Sequence, residues 1–315
     1  MSKKNIIILD HKGGRLCNQL WNYISVYAYC LEKNYQCHNY SFYKYDGDFD
    51  IKDKGLLYKI FLLLNTVTYI LGKNRFVHKL YREYVNRMET KYGDEIVDSG
   101  FDAEKEGVFY LPPTKTDTKA GVAKIEAILN EKNKTYLEGW LFRNPVGIEK
   151  YRKEIREYFM PKKHITEVSE KFIESLRVKY KYVVGVHIRQ GDYKKEYRNG
   201  ELYYSEYQVN KFLRKYLTHF NKSVNETCFL VCSDGPVNLA QFADLQVMMG
   251  PGDVIEDLHA LSLTDTIIGS DSTFGAFASY YGNIPFIVFE KNIDWDYYEA
   301  KNKYFENPKC TTVHF

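Results

Sequence analysis

A short run of side chains able to do chemistry follows an apolar strand in the second half of the chain. It reads His187-Ile188-Arg189-Gln190-Gly191-Asp192-Tyr193. Arginine stays charged at physiological pH and can grip two phosphate oxygens at once. His187 lies on the same strand face as Arg189, because side chains in a strand alternate with a period of two. The pattern predicts a phosphate or nucleotide site at the carboxyl edge of an α/β sheet.

Two later segments bring polar side chains to the same predicted edge. Ser272 and Thr273 begin a helix after the strand 266–269, and a helix N-terminus with hydroxyl groups binds anions. Plain N-capping, which needs only one of the two hydroxyls, is the alternative. Asp234 follows the strand 228–232. Its carboxylate either accepts hydrogen bonds from a guanine base or serves as an ordinary turn aspartate.

The first half of the chain opens with another strand-to-helix turn. The strand 6–10 is followed by Gly13 and Gly14, and then by a helix with an apolar stripe. Glycine allows the backbone to approach a ligand closely. Gly14 and Asn18, in the first helical turn, are therefore candidate substrate-binding residues.

The elements that must position these residues are clearest in the C-terminal half. Strands are predicted at 182–188, 228–232, 246–249, 266–269 and 285–289, with helices at 203–218, 236–243, 253–262 and 272–282. This alternation is typical of a doubly wound parallel sheet. After residue 40 the N-terminal half indicates helices more than strands. Helices at 147–158 and 164–178 enclose the predicted domain boundary near Pro161.

Four segments, in the same order, resemble the α-1,2-fucosyltransferases, a GDP-fucose-dependent family related to the α-1,6- and protein O-fucosyltransferases. The strand-end run resembles the family's His-x-Arg-Arg-Gly-Asp-Tyr motif. The other three segments are Gly13-Gly14-Arg15-Leu16-Cys17-Asn18-Gln19, Tyr136-Leu137-Glu138-Gly139-Trp140 and Ile267-Ile268-Gly269-Ser270-Asp271-Ser272-Thr273-Phe274. They are similar to the family's Gly-Gly-Leu-Gly-Asn-Gln, Tyr-Leu-x-Gly-Tyr/Phe and Ile-Ile-Ala-Asn-Ser-Thr-Phe. The resemblance extends over nearly the whole chain.

The resemblance implies an α/β, GT-B-like fold, in which two Rossmann-like domains face a cleft. Residues 1–160 would form an N-terminal acceptor-side domain, and residues 161–315 a C-terminal GDP-sugar-binding domain. The implied reaction is the inverting transfer of L-fucose from GDP-fucose to a hydroxyl of a galactoside-containing glycan, free or lipid-linked, in α-1,2 linkage. Arg189 corresponds to the arginine that binds the donor phosphates, and it is the predicted catalytic residue. The predicted substrate-binding residues are His187, Asp234, Ser272, Thr273, Gly14 and Asn18.

The sequence departs from the family pattern at four places. Gln190 replaces a second arginine, Cys17 replaces a glycine, and Gly235 replaces the second aspartate of a Ser/Thr-Asp-Asp segment. Gly275-Ala276-Phe277 replaces a Ser-Trp-Trp segment. Two alternatives therefore stay open: a GDP-sugar transferase of another linkage or acceptor, and a non-catalytic nucleotide-sugar or glycan-binding protein. The candidates for a general base are His11 and Glu138.

We expect no metal cofactor and no nucleic acid partner. Asp46-Gly47-Asp48 and Asp294-Trp295-Asp296 mimic an Asp-x-Asp metal motif. That motif holds a divalent cation on donor phosphates, a role that cationic side chains already fill here. A net charge of +3, from 44 basic and 41 acidic residues, creates no global field that would recruit nucleic acid.

The cysteines and the N-terminus predict a cytoplasmic protein. The six cysteines form no Cys-x-x-Cys pair, and the first residues lead directly into a strand rather than into a signal sequence. Residues 56–71 form an apolar run that is too short and too polar to span a membrane. The cations that follow it are Lys73, Arg75, Lys79, Arg82, Arg87 and Lys91. The pair is either a core helix followed by a solvated one, or a peripheral contact with the inner face of an anionic membrane.

Overall fold

The computed structural model describes residues 3–51, 56–70, 74–98, 117–140, 142–194 and 200–300. The chain divides into two compact units, Met1–Met160 and Pro161–His314, here called unit 1 and unit 2. Each unit is built on one parallel sheet with helices between its strands. The prediction of an α/β fold with two Rossmann-like units is therefore confirmed.

Unit 1 contains a four-stranded parallel sheet in the order β2-β1-β4-β3. Its strands are β1 (Asn5–Asp10), β2 (Gln36–Asn39), β3 (Ile96–Asp98) and β4 (Lys134–Glu138). Its helices are α1 (Leu16–Lys33), α2 (Leu56–Ile70), α3 (Asn74–Tyr92), α4 (Asp117–Lys132), α5 (Pro145–Lys150) and α6 (Arg152–Tyr158). The last two correspond to the single helix predicted at 147–158, which is interrupted at Tyr151.

The sheet of unit 1 was only partly predictable. The strand 6–10 matches β1, whose Ile6, Ile8 and Leu9 are completely buried. The other three strands were not predicted, because they have three to five residues each and carry polar residues within them. Their partners are distant in sequence, since β1 pairs with β4 across more than a hundred residues. The expectation of more helix than strand after residue 40 is confirmed.

Unit 2 contains a five-stranded parallel sheet in the order β7-β6-β5-β8-β9. Its strands are β5 (Tyr182–Ile188), β6 (Thr227–Ser233), β7 (Gln246–Met249), β8 (Thr266–Gly269) and β9 (Phe286–Val288). Its helices are α7 (Lys163–Arg177), α8 (Glu206–His219), α9 (Val254–Ser262), α10 (Thr273–Gly282) and α11 (Trp295–Ala300). All five predicted strands are present. Four of them are buried apolar runs, which stand out in the sequence, whereas β7 at the sheet edge is partly exposed.

One predicted helix of unit 2 is wrong. Residues 236–243 contain only a 3₁₀ turn at Leu239–Phe242, which the Asn238 side chain caps by accepting a hydrogen bond from the Ala240 amide. Pro236 sits just before this turn, and its carbonyl is occupied by the Gln190 side chain. The segment is therefore tied to the loop after β5 and forms a connector to β7.

Candidate functional site

Three strand ends meet at one edge of the unit 2 sheet. β5 pairs in register with β6 on one side and with β8 on the other. The chain runs outward from β5 through β6 and β7, then returns to β8, so the strand order reverses between β5 and β8. Open α/β sheets bind ligands at such a switch point. Arg189, Asp234 and Ser270 follow directly after β5, β6 and β8.

The Arg189 guanidinium is held between two carboxylates. Its Nη1 lies 2.6 Å from Asp234 Oδ2, and its Nη2 lies 2.6 Å from Asp192 Oδ1. The Tyr193 ring packs near it, with the guanidinium carbon 5.5 Å from the ring centroid. The side chain is 15% exposed. A guanidinium carries five N–H donors, so these two contacts orient the group and leave further donors for the oxygens of a ligand.

The backbone around Arg189 is fastened to both neighbouring strand ends. The Arg189 amide donates to Ser270 Oγ at 2.9 Å, and the Gln190 amide donates to Asp234 Oδ1 at 2.7 Å. The Tyr193 hydroxyl donates to the Asp271 carbonyl at 2.7 Å. Ser270 was not among the predicted site residues. The available signal was its position as the first residue after the predicted strand 266–269.

The close approach of the Asp234 carboxylate explains why residue 191 is a glycine. A Cβ atom at Gly191 would lie 2.7 Å from Asp234 Oδ2, the oxygen that pairs with Arg189. Any side chain at this position would push the carboxylate away from the guanidinium. Gly191 is therefore part of the geometry that holds Arg189.

Gln190, which replaces an arginine of the family motif, is a buried structural residue. Its Nε2 donates to the Pro236 carbonyl at 2.7 Å and to Ser233 Oγ at 3.3 Å. It joins the loop after β5 to the loop after β6. The neutral amide matches a site with no space for a second solvated charge, since Gln190 is only 2% exposed.

His187 is buried beneath the start of α10. Burial, followed by the positive charge of Arg189, lowers its pKa to about 4, although Asp234 acts in the opposite direction. The ring therefore stays neutral near physiological pH. It packs against Phe274, with the ring centroids 5.0 Å apart, and its Nδ1 atom is buried without a hydrogen-bond partner among the described residues. A buried polar atom without a partner is unfavourable, so this atom is a candidate ligand contact.

The predicted helix start at 272–273 is also present. α10 begins at Thr273, and Ser272 is its N-cap, because Ser272 Oγ accepts a hydrogen bond from the Phe274 amide at 3.3 Å. The N-capping interpretation of Ser272 is thus observed. The helix N-terminus carries the positive end of the helix dipole. It lies at the sheet edge that also carries Arg189, as the hydrogen bond from Arg189 to Ser270 shows.

The remaining predicted site residues lie in unit 1. Gly14 has a φ of +75°, and a Cβ there would lie 2.7 Å from Asn18 Cβ, so the turn requires glycine. The Gly14 carbonyl accepts a hydrogen bond from Gln19 Nε2 at 3.1 Å. Asn18 is half-buried in the first turn of α1. Contact of Gly14 and Asn18 with a substrate stays a prediction.

Of the two candidate general bases, His11 is held neutral. Asn39 Nδ2 lies 3.0 Å from His11 Nε2, and Asn22 Nδ2 lies 3.4 Å from His11 Nδ1. The Asn39 oxygen accepts hydrogen bonds from Ser41, so the Asn39 amide nitrogen faces the ring as a donor, and a neutral imidazole accepts it at Nε2. Burial and the charge of Arg143 lower the pKa of His11 to about 3. His11 is therefore poorly suited to accept a proton.

Glu138 stays a better candidate. It lies at the end of β4, where its Oε2 is 2.6 Å from Lys12 Nζ. Burial raises the pKa of the Glu138 carboxyl, and nearby Glu89 adds to this shift, while Lys12 opposes it. A carboxylate with a raised pKa is a more effective proton acceptor.

The two Asp-x-Asp segments form no metal cluster in the described part of the chain. No group of three His, Cys, Asp or Glu residues converges there in a way that would hold a metal ion. Asp46 is buried in a 3₁₀ turn, and Asp294 accepts a hydrogen bond from the Tyr297 amide. Five of the cysteines are buried, and Cys310 lies outside the described residues.

Comparison with known proteins establishes the family. A family model described as glycosyl transferase family 11 matches residues 146–307, which is more than half of the chain. The chain belongs to glycosyl transferase family 11. The match contains all five strands of unit 2, together with Arg189, Asp234 and the start of α10. A comparison with curated proteins found none that matches.

Three solved structures are similar in fold to this family 11 chain. A point mutant of Arabidopsis thaliana FUT1 in complex with GDP has a TM-score of 0.56 at 11% identity, covering 93% of this chain and 72% of that chain. The fucosyltransferase NodZ from Bradyrhizobium has a TM-score of 0.53 at 14% identity, covering 93% and 97%. NodZ α-1,6-fucosyltransferase soaked with GDP-fucose has a TM-score of 0.51 at 12% identity, covering 92% and 96%. At these identities the likeness shows a shared fold.

Proposed function

We propose that the protein is an inverting fucosyltransferase that transfers L-fucose from GDP-fucose to a hydroxyl of a galactoside-containing glycan, free or lipid-linked, in α-1,2 linkage. The observation that carries the proposal is the Arg189 guanidinium, held in place at a sheet switch point beside the start of α10, in a chain of family 11. Two solved structures with the same fold contain GDP or GDP-fucose.

In this proposal unit 2 binds the donor diphosphate. Arg189 contributes two-pronged hydrogen bonds to phosphate oxygens, the N-terminus of α10 contributes its dipole, and Thr273 and His187 Nδ1 contribute hydrogen-bonding groups. Asp234 already binds Arg189 and the Gln190 amide. Its contact with guanine therefore relies on the remaining lone pairs of its oxygens. The acceptor-side role of unit 1 is part of the same proposal.

The proposed reaction is a displacement at C1 of fucose. The acceptor hydroxyl oxygen forms a bond to C1, the bond from C1 to the β-phosphate oxygen breaks, and the hydroxyl proton leaves to a base such as Glu138. The donor is β-linked, so attack opposite the leaving GDP forms an α-linked product. Negative charge grows on the β-phosphate as the bond breaks, and preorganised cationic groups stabilise it.

The two carboxylates that contact Arg189 determine how a donor diphosphate can bind there. One guanidinium faces two carboxylates, so the cluster has an excess of negative charge that opposes a diphosphate. Asp192 is the more exposed partner, with 36% of its side chain accessible. We infer that donor oxygens take over the Asp192 contact, while Asp234 continues to orient the guanidinium.

A second candidate, a GDP-sugar transferase of another linkage or acceptor, is favoured by Gln190. This residue takes the place of a second family arginine and is bonded to the protein itself. The donor site therefore has one motif cation fewer. An assay of acceptor-dependent GDP release separates both candidates from a non-catalytic binder.

The test is release of GDP from GDP-fucose over time, with and without a panel of galactoside glycans. We expect release that requires an acceptor, and a product whose linkage is determined by NMR as α-1,2. A product of another linkage would support the second candidate. Tight binding of GDP-fucose with no acceptor-dependent release would show a binding protein instead.

We expect the transferase activity to persist in EDTA. A guanidinium and a helix N-terminus supply the positive charge at the donor phosphates, so a divalent cation is not required for that role. The measurement is the rate of acceptor-dependent GDP release before and after chelation. Loss of turnover that added Mn²⁺ restores would contradict the prediction and direct attention to Asp46, Asp48, Asp294 and Asp296.

A further inference from the structure

Two helices of unit 1 expose five large apolar side chains. Helices α2 and α3 pack against each other, and each buries part of its surface in the cluster around Phe61, Val77 and Tyr81. Other large apolar residues of the same helices face solvent. We call this set the α2–α3 face: Ile60, Leu63, Val67, Phe76 and Leu80.

The exposed residues form stripes along the helices. Ile60, Leu63 and Val67 are spaced by three and four residues, and Phe76 and Leu80 are spaced by four, so each set lies on one side of its helix. Leu63 is 65% exposed and Phe76 is 55% exposed. Each helix therefore has one apolar side in the core and a second one in solvent. Clustered exposed apolar residues of this kind mark an interaction surface.

The charges beside these stripes are mostly positive. Among the described side chains of α2 and α3, five are cationic: Lys59, Lys79, Arg82, Arg87 and Lys91. Two are acidic, namely Glu83, which pairs with Arg87, and Glu89, while Arg82 pairs with Asp10 of β1. Lys59 and Lys79 are exposed and directly precede Ile60 and Leu80. An apolar surface with exposed cations beside it is complementary to anionic lipid headgroups over acyl chains.

We propose that the α2–α3 face docks on the surface of an anionic lipid bilayer. A second copy of the chain would bring the same cations opposite each other, which disfavours self-association through this face. α2 has 15 residues, which at about 1.5 Å each is shorter than the hydrocarbon core of a bilayer. No helix within the described residues is long and apolar enough to cross a membrane. Leu71 and Lys73, which the sequence also indicated, lie outside the described residues.

The test is co-sedimentation of the full chain with vesicles of phosphatidylcholine, with and without phosphatidylserine. We expect the wild-type protein to pellet with the phosphatidylserine vesicles at low salt, to be released by high salt, and to stay in solution with phosphatidylcholine alone. The variant Leu63→Glu/Phe76→Glu places acidic groups in both stripes. Its bound fraction should fall by about ten-fold or more, because it loses apolar contact and gains repulsion.

A matched control is available elsewhere on the surface. Val146 and Val178 are 76% and 86% exposed, and Val146→Glu/Val178→Glu adds the same two charges outside the α2–α3 face. We expect this variant to bind vesicles nearly as wild type does. Circular dichroism melting shows whether all variants are folded.

Three results would overturn the proposal. The first is wild-type protein that remains in solution with phosphatidylserine vesicles at low salt. The second is equal loss of binding in both variant pairs. The third is a concentration-dependent dimer that Leu63→Glu/Phe76→Glu abolishes, which would assign the face to a second copy of the chain. None of these readouts depends on transferase activity.

Discussion

Arg189→Lys lowers acceptor-dependent GDP release by about 30-fold to 1,000-fold, which corresponds to a loss of ~2–4 kcal/mol of transition-state stabilisation. Lysine keeps the positive charge but has no planar fork. It cannot hold Asp234 and Asp192 on separate nitrogens, as Nη1 and Nη2 do at 2.6 Å each, and also present donors to a phosphate. The measurement is kcat and KM for GDP-fucose, together with the affinity for GDP.

The matched control for this substitution is Arg214→Lys. Arg214 also lies in unit 2 and also pairs with an aspartate, Asp244, but its side chain is 60% exposed and it lies on α8, away from the strand ends. We expect nearly wild-type turnover from the control. If Arg189→Lys keeps more than half of the wild-type turnover while both proteins melt alike, the catalytic assignment of Arg189 is wrong.

Gly282→Ala lowers the free energy of unfolding by about 3 kcal/mol, because the added methyl group meets backbone rather than a flexible side chain. A Cβ atom at Gly282 would lie 2.1 Å from the Ser262 carbonyl oxygen at the end of α9. Helix α10 would have to move away from α9. Since α10 begins at Thr273 beside the Arg189 loop, donor binding should weaken as well. Chemical denaturation and GDP titration measure the two effects.

Gly93→Ala is the control for the glycine experiment. A Cβ at Gly93 would meet no atom within 4 Å, so we expect stability close to wild type. The two substitutions make the same chemical change and differ in the space available for a methyl group. Equal stability of Gly282→Ala and Gly93→Ala would show that the α9–α10 packing described above is not that of the protein in solution.

The sequence alone was sufficient to predict the strands of unit 2 and the sheet edge at which the candidate site residues lie. Its strands are apolar runs between helical segments, and β5 was predicted to the residue at 182–188. Parallel strands direct all their carboxyl ends to one edge of a sheet. The edge location of Arg189, Asp234 and Ser272 therefore followed from local sequence patterns, and the motif resemblance to the fucosyltransferases led to the family that the family model then matched.

The tertiary structure determined which side chains and backbone groups of the candidate site are in contact. Only the order of the strands brings Asp234 to Arg189 and Ser270 to the Arg189 amide, because these partners lie more than forty residues apart in sequence. The neutral state of His11 likewise depends on burial in folded unit 1 and on the charge of Arg143, which lies more than a hundred residues away in sequence. Most strands of the unit 1 sheet could not be predicted from the sequence, because they are short and become stable only by pairing with strands that are distant in sequence. Periodicity reports the local burial of a segment, whereas the electrostatics of a site depend on contacts that the chain makes only after it has folded.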